Sequence, residues 1–299
     1  MNKKISIHEG NRIATFLMYA ACVIIAFITL YPMYYVLILS LSAPEFASTM
    51  RVYMMPKGFN LSAYGVLMKD MKMWRAYLNS ILYVVPTTLL MIVTSSVVAY
   101  GLSYKKLIGR KFLNVFLLIP MYFSGGIIPG FLLMVKLGLY DTPWSQIFPA
   151  CFSIWNIILV RSYFRTIPES LSEAAKMDGA GLVQIFLRVI IPLGKPIFAV
   201  IAVYTIVGVW NSWFNAMLYL PHTDWQPLQM YLRRILIESK QSLQQVMDAA
   251  AAKELAMKQL SNAQLKYAMI IFTSLPVLCT YPFFQKYFIK GMVMGSLKE

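Results

Sequence analysis

Long apolar runs separated by short polar segments dominate this chain. Their approximate bounds are Thr15–Leu41, Tyr77–Ser103, Phe112–Val135, Trp144–Tyr163, Ile197–Leu220 and Tyr267–Phe284. About 20 apolar residues cross a bilayer as a helix, and a helix satisfies the backbone polar groups for which hydrocarbon offers no partner. The pattern therefore predicts an all-α membrane protein with six transmembrane helices, in a single transmembrane domain over residues 1–299.

The composition leads to the same class of protein. The 299 residues are 59% hydrophobic and 13% charged, with a mean hydropathy of +0.62, whereas soluble domains carry about 25% charged residues. The formal net charge is +15, but the basic residues form short clusters at the ends of the apolar runs. That placement suits the anionic headgroups of a lipid bilayer, and it argues against nucleic acid as a partner.

The basic residues of the short loops also predict an orientation. Lysine and arginine accumulate in short cytoplasmic loops, which places the N-terminus and the segments 105–111 and 161–195 in the cytoplasm. Residues 42–76 and 221–266 then lie outside. In the second of these segments, apolar residues recur at helical spacing, which predicts an outer helical segment over about residues 226–266. Such a stripe more often packs on the protein's own spans than forms a docking site.

The polar segment between the fourth and fifth runs, about residues 164–196, carries the most specific motif. Helix-favouring residues at 173–175 precede Gly179 and Gly181, which permit a chain reversal. A second short helix is predicted to end at Pro192. The spacing resembles the coupling loop of the permease subunits of ABC importers, which reads Glu-Ala-Ala, three residues, Gly, nine residues, Ile-x-Leu-Pro. Val189 and Ile191 stand here where Ile and Leu are usual.

The resemblance implies a specific role for this segment, which we call the coupling loop. In the family the loop forms a coupling helix that sits in a groove of the ATP-hydrolysing subunit. The residues that would make this contact are Glu173, Ala174, Ala175, Asp178, Gly179, Ala180 and Gly181. The resemblance implies further partners: a second, homologous permease, two ATP-binding subunits, an extracellular solute-binding protein and the lipid bilayer. It also implies a place in the bacterial cytoplasmic membrane, with both termini cytoplasmic.

Similarity to the carbohydrate branch of these importers covers nearly the whole chain. The segments that carry it are 56–59, 228–236, 275–282 and 285–291. This resemblance implies a subunit that forms half of the translocation pathway for an oligosaccharide or a polysaccharide fragment. Amino-acid, peptide or phosphonate cargo is the alternative within the importers, and a self-contained channel or secondary carrier is the alternative outside them.

The chain contains no motif that would supply the energy for transport. Gly194-Lys195 is followed by Pro196 and lacks the earlier glycine of a phosphate-binding loop. The apolar runs hold almost none of the ionisable residues that ion-coupled carriers keep inside the bilayer. His8 and His222 are far apart, and each cysteine stands alone. We therefore predict no catalytic or metal site and no bound cofactor. The resemblance implies that the partner ATPase holds ATP and Mg.

Polar and aromatic residues inside the runs are candidates for a substrate path. Sugars offer apolar ring faces and hydroxyl groups, which aromatic side chains and Asn can bind. The candidates are Trp210, Asn211, Trp213, Asn215, Trp155, Asn156, Ser153 and Tyr122. Gly125, Gly126 and Pro129 interrupt the third run and predict a gate. The alternative role for these residues is hydrogen bonding between helices and anchoring at the membrane interface.

Overall fold

The computed structural model describes residues 12–104, 106–241, 263–280 and 282–285, which form helices and turns without any strand. The helices up to the coupling loop are α1 (Arg12–Leu41), α2 (Pro44–Thr49), α3 (Ser62–Lys69), α4 (Met71–Ser103), α5 (Arg110–Tyr122), α6 (Ile127–Lys136), α7 (Trp144–Ala150) and α8 (Ile154–Phe164). The remaining ones are α9 (Glu169–Met177), α10 (Leu182–Leu193), α11 (Lys195–Trp210), α12 (Phe214–Tyr219), α13 (Leu228–Gln241) and α14 (Ala263–Gln285). The all-helical part of the prediction is confirmed.

Three of these helices, α1, α4 and α14, are each long and apolar enough to cross a membrane. Three pairs meet the same requirement together but are bent, α5 and α6 by 111°, α7 and α8 by 42°, and α10 and α11 by 73°. By length and composition, the described residues therefore contain three candidate spans, or up to six if each bent pair is one span. The predicted third run is a sharply bent pair rather than one straight helix.

The fifth run, predicted over Ile197–Leu220, also differs from a single helix. α11 ends at Trp210 and α12 begins at Phe214, because Asn211 and Ser212 stand between them and such side chains compete with helical backbone hydrogen bonds. At its other end α11 follows a bend at Gly194. A Cβ on Gly194 would lie 2.8 Å from the Phe198 ring, so the close approach at this bend requires glycine.

Backbone groups freed at the bends find partners inside the protein. Between α7 and α8, the carbonyl of Cys151 accepts a hydrogen bond from Thr94 Oγ1 of α4 at 2.7 Å. Ser153 Oγ then accepts from the Asn156 N–H and caps α8. Between α5 and α6, Gly126 has φ +89°, and its N–H donates to Ser124 Oγ at 3.2 Å. These contacts make irregular backbone tolerable among apolar helices.

The chain divides into two compact units, one of which comprises Asp70–Arg234 and Thr273–Glu299. In its described part, α4 packs mainly on α8 and α11. The core there is formed by Ala99, Leu102, Ile157, Val160, Phe164, Ile185, Ile190, Ile197 and Ile201. Buried hydroxyl groups on these helices donate to carbonyls of their own helix, as Thr88 does to Val84 and Thr205 to Ile201, both at 2.7 Å. Small and hydroxyl residues let the helices approach closely.

The other unit comprises Met1–Lys69 and Ile235–Phe272. A buried amide joins its segments, since Gln264 is 1% exposed. Gln264 Nε2 donates to the carbonyls of Ser40 and Asn60 at 3.2 and 2.8 Å, and Ser62 Oγ donates to its Oε1 at 3.3 Å. The predicted outer helical segment begins as α13, and residues 242–262 lie outside the described residues. A single domain over the whole chain stays a prediction.

The start of α4 depends on a carboxylate. Asp70 Oδ1 accepts from the N–H groups of Lys72 and Met73 at 2.8 and 3.4 Å, and Oδ2 accepts from the Tyr231 hydroxyl. Partial burial acts to raise the pKa of Asp70. The hydrogen bonds from Tyr231, Lys72 and Met73, with the charge of Lys72, outweigh it, so the pKa lies below its ordinary value.

We predict that Asp70→Ala lowers the melting temperature of the purified protein in detergent at pH 7. A lost N-cap costs ~1 kcal/mol, which corresponds to about 2–4 °C in a chain of this size. Because the folded-state pKa is depressed, the stabilisation is complete above the ordinary value of 3.8 and is lost as the pH falls through the folded-state pKa. The difference in melting temperature between the wild type and the variant should therefore shrink below pH 3.8.

Asn60→Ala is the matched control for this prediction. Asn60 Oδ1 accepts from the Ser62 N–H at 2.6 Å near the start of α3, so its loss also removes a local hydrogen bond to the backbone but no titrating group. Its effect on the melting temperature should not change with pH. If the difference in melting temperature between the wild type and Asp70→Ala also stays constant from neutral to acid pH, the role of the Asp70 charge is contradicted.

Candidate functional site

The coupling loop forms a helical hairpin made of α9 and α10. Gly179 follows the end of α9 with φ +81°, the left-handed conformation that glycine adopts at little cost. The N–H of Ala180 donates to the Ala175 carbonyl at 2.9 Å, and the N–H of Gly179 donates to that of Lys176 at 3.0 Å. This is the Schellman arrangement that ends a helix and turns the chain. The predicted order of helix, glycine turn and second helix is therefore present.

The hairpin presents most of its motif residues to the surroundings. Glu173, Ala174, Asp178, Gly179 and Gly181 are exposed. Ala175 and Ala180 instead pack against the core of α4, α8 and α11. The second helix continues through Pro192 to Leu193, one residue further than predicted. The motif therefore has an outward face and an inward face rather than one uniform contact surface.

Several contacts attach the hairpin to the spanning helices. The ring of Tyr100 on α4 stacks on Phe186 of α10 with centroids 4.8 Å apart, and its hydroxyl donates to the Leu182 carbonyl at 3.2 Å. The Tyr163 hydroxyl of α8 donates to the carbonyl of Leu193 at 3.2 Å. Within α10, residues Phe186–Ile190 form a π-helical turn, a rare feature that is frequent at functional sites. A displacement of the hairpin would therefore be passed directly to α4 and α8.

A polar cavity of about 370 Å³ lies among α4, α7, α8 and α11. Three predicted path residues, Ser153, Asn156 and Asn215, line it. Gln146 and Tyr204, which the sequence did not single out as path residues, also line it. The lining mixes amide and hydroxyl groups with apolar surface, which is the chemistry that sugar hydroxyls and ring faces require.

The remaining predicted path residues do not line this cavity. Trp210 is buried, its Nε1 donates to the Thr273 carbonyl at 2.9 Å, and its ring meets Tyr77 edge-on at 5.7 Å. The arrangement supports a packing role for Trp210. Trp155 and Tyr122 are exposed, and the predicted gate residues lie at the bend between α5 and α6, with Gly125 and Gly126 in the break and Pro129 in the first turn of α6.

A second polar surface forms where α11 ends. The Arg233 guanidinium of α13 lies over the Trp213 ring, 4.5 Å from its centroid, and the Trp213 side chain remains exposed. Beside it, Gln229 Nε2 donates to Asn211 Oδ1 at 3.2 Å. We call these four residues the Trp213 platform. Sequence reasoning singled out Trp213 and Asn211 but missed Gln229 and Arg233, whose spacing of four places them on one face of α13.

The described residues include no group of three or more His, Cys, Asp and Glu side chains that could hold a metal ion. The arrangement offers instead an outward-facing hairpin fixed to a helical bundle, together with surfaces of amide, hydroxyl and aromatic groups. Such an arrangement can transmit movement and can bind a polar solute by hydrogen bonds and ring contacts.

Comparison with known proteins identifies the family. Residues 76–294 match the family model described as "Binding-protein-dependent transport system inner membrane component". The polygalacturonan/rhamnogalacturonan transport system permease protein YtcP of Bacillus subtilis (strain 168) is 35% identical over 96% of this chain and 99% of its own length. The melibiose/raffinose/stachyose import permease protein MelC of the same organism is 26% identical over 89% of this chain and 91% of its own length.

A solved structure extends the similarity to three dimensions. It is a bacterial ABC transporter involved in the import of the acidic polysaccharide alginate, and the matched chain is 33% identical, with a TM-score of 0.81 over 94% of this chain and 98% of that one. The similarity in sequence and in fold therefore extends over almost the full length. The chain belongs to the family of binding-protein-dependent transport system inner membrane components, the permeases of ABC importers.

Proposed function

We propose that this chain is one permease subunit of an ATP-driven importer and forms half of the translocation pathway for a fragment of an acidic polysaccharide. The observation that carries the proposal is nearly full-length similarity, at 35% and 33% identity, to two transporters whose named cargoes are polygalacturonan/rhamnogalacturonan and alginate. Polygalacturonan is a polymer of a uronic acid, and alginate is described as an acidic polysaccharide. The permease named for the neutral sugars melibiose, raffinose and stachyose is less similar, at 26% identity.

The proposed topology has six spans with both termini in the cytoplasm. Three long helices and three bent pairs support this number, and in the last pair α10 is both the second helix of the hairpin and the cytoplasmic entry to the span formed with α11. The basic residues of the short segments at 105–111 and 161–195 support the orientation. The coupling loop then lies between spans four and five on the cytoplasmic side. The Trp213 platform and α13 lie toward the opposite side, from which an imported solute arrives.

The proposed partners are a second, homologous permease, two ATP-binding subunits and an extracellular solute-binding protein. One solved relative in fold is described as an alginate ABC transporter in complex with an alginate pentasaccharide-bound periplasmic protein, which supports the last of these. ATP and Mg are held by the ATP-binding subunits, and this chain binds no cofactor and catalyses no reaction. It receives work through the exposed face of the hairpin, where Ala174, Gly179 and Gly181 allow close backbone approach.

Movement is transmitted along the contacts that attach the hairpin to the bundle. Closure of the ATP-binding subunits displaces α9 and α10, and the Tyr100 and Tyr163 contacts carry the displacement into α4 and α8. These two helices and α11 surround the polar cavity, so its accessibility changes with the position of the hairpin. Alternating access of the pathway follows from this link.

We predict that Gly179→Trp prevents docking of the ATP-binding subunit. The substitution puts a large side chain on the exposed turn and strains a residue at φ +81°. Co-purification of the ATPase should fall about tenfold or more, as expected when a contact at an interface centre costs ~2 kcal/mol. The measurement is the ratio of ATPase to permease after affinity purification of the permease from membranes in which both are expressed.

Gly138→Trp is the matched control for docking. Gly138 also has a positive φ, +69°, and open space around a Cβ, but it follows α6 and lies outside the coupling loop. This variant should retain the ATPase at the level of the wild type. Equal retention by both variants, or equal loss from both, would refute the docking role of Gly179.

We predict that Arg233→Gln weakens import of an acidic oligosaccharide. The change removes the cation of the Trp213 platform, and a hydrogen bond to a charged group contributes ~1.5–3 kcal/mol, so KM for oligogalacturonate uptake should rise about tenfold. The measurement is uptake of labelled oligogalacturonate by cells that carry the complete importer. Lys136→Gln, which removes an exposed cation at the end of α6, should leave KM unchanged, and identical kinetics in both variants would exclude Arg233 from cargo recognition.

A further inference from the structure

A second cavity, of about 530 Å³, lies behind the coupling loop. We call it the basic cavity. Its walls come from the end of α4, the start of α5, the end of α8 and one face of α9. The α9 residues that line it include Glu169, Ser172, Glu173 and Lys176, whose spacing of three and four places them on a single helical face. This cavity therefore separates the coupling helix from the ends of the membrane-spanning helices.

The charge of the basic cavity is unbalanced. Four cationic side chains from four chain segments line it, Lys106, Arg110, Arg165 and Lys176, against the two carboxylates of Glu169 and Glu173. Within the described residues no ion pair joins any of these four cations to a carboxylate. Lys176 has another contact, because its Nζ lies over the Tyr104 ring at 5.9 Å from the centroid. Gathering like charges without carboxylate partners is unfavourable, so the arrangement indicates a site for an anion.

A fifth cation stands beside the cavity. The charges of Arg110 and Arg165 both act on the guanidinium of Arg161, so three arginines from two helix ends cluster together. Arg161 Nη1 donates to Asn114 Oδ1, while its Nε is buried and has no hydrogen-bond partner within the described part of the chain. A buried donor without a partner is costly, and an anion brought close to the cluster would reduce the repulsion within it.

The chemistry of the lining favours a phosphate group over other anions. Guanidinium groups bind phosphate oxygens through paired N–H donors, and lysines add point charges. The hydroxyls of Ser172 and Tyr104 also line the cavity and make no hydrogen bond among the described residues, so they are available as donors. A phosphate group presents more acceptor oxygens than a carboxylate, and free phosphate also carries more charge. The volume lies within the range of about 300–1,000 Å³ that is usual for small-ligand sites.

The position of the cavity identifies two sources of phosphate. It lies where spanning helices end, which in the proposed topology is the level of the cytoplasmic lipid headgroups, and apolar residues such as Phe164 and Ile185 form part of its wall. We propose that the basic cavity binds a phosphate group, from an acidic phospholipid or from free phosphate, and that this group fastens α9 to the ends of α5 and α8. The coupling hairpin would then respond to its anionic surroundings as well as to the ATPase.

The test uses the double variant Arg110→Gln/Arg165→Gln of the full chain. The wild type is reconstituted in nanodiscs of phosphatidylcholine with phosphatidylglycerol, extracted, and analysed by native mass spectrometry for bound phosphatidylglycerol. Each basic residue near an anionic surface contributes about fivefold to binding, so the double variant should retain at least about tenfold less of this lipid. A second arm measures the melting temperature in lipid-free detergent with sodium phosphate against sodium chloride of equal ionic strength.

Arg188→Gln is the matched control, because Arg188 is an exposed cation of α10 that does not line the cavity. Selective lipid loss from the double variant supports a phospholipid ligand. Stabilisation of the wild type by phosphate that is absent from the double variant, without selective lipid loss, supports free phosphate. The proposal is overturned if the double variant matches Arg188→Gln in both arms. Lys106→Gln/Lys176→Gln, which changes two exposed side chains, provides the same comparison if the arginine variant fails to fold.

Discussion

The structure depends on one constraint, which is that every backbone N–H and C=O group in the apolar region must find a partner without water. Long helices such as α1 and α4 meet most of this requirement with their own backbone hydrogen bonds. The bent pairs also use side chains of neighbouring residues, as when Thr94 of α4 donates to the freed carbonyl of Cys151. The helix breaks are therefore not weak points but places where separate helices are joined, and they hold α7 and α8 against α4.

The same packing makes the coupling hairpin a mechanical part of the bundle. Its glycine turn at Gly179 is a local device that reverses the chain, whereas Ile185 and Ile190 are buried in the core shared by α4, α8 and α11. A surface loop attached only at its two ends would bend when displaced and would transmit little of the displacement to the helices. Here the buried isoleucines, together with the Tyr100 and Tyr163 contacts, connect the exposed turn to the helices around the polar cavity. The basic cavity occupies the remaining space between α9 and these helices, so an anion there would change the stiffness of the connection.

Residues of one type serve different purposes in this chain, and only their surroundings distinguish them. Trp210 and Trp213 are three positions apart, yet the first is buried and donates to Thr273 while the second is exposed beneath Arg233. The break at Asn211 and Ser212 separates them by ending α11. An aromatic ring that is packed inside supports the bundle, whereas one that is exposed beside a cation and amides offers a polar and aromatic surface to a solute.

By itself the sequence determined the helical membrane fold and the hairpin of the coupling loop. Both depend on local properties, since apolar runs require helices in a membrane and the spacing from Glu173 to Gly179 sets one helix and its glycine turn. Tertiary structure decided the 111° bend between α5 and α6, the burial of Trp210, the placement of Arg233 over Trp213 and the gathering of Arg110, Arg161 and Arg165. These features depend on contacts between segments far apart in the chain, which hydrophobic periodicity and motif spacing do not record.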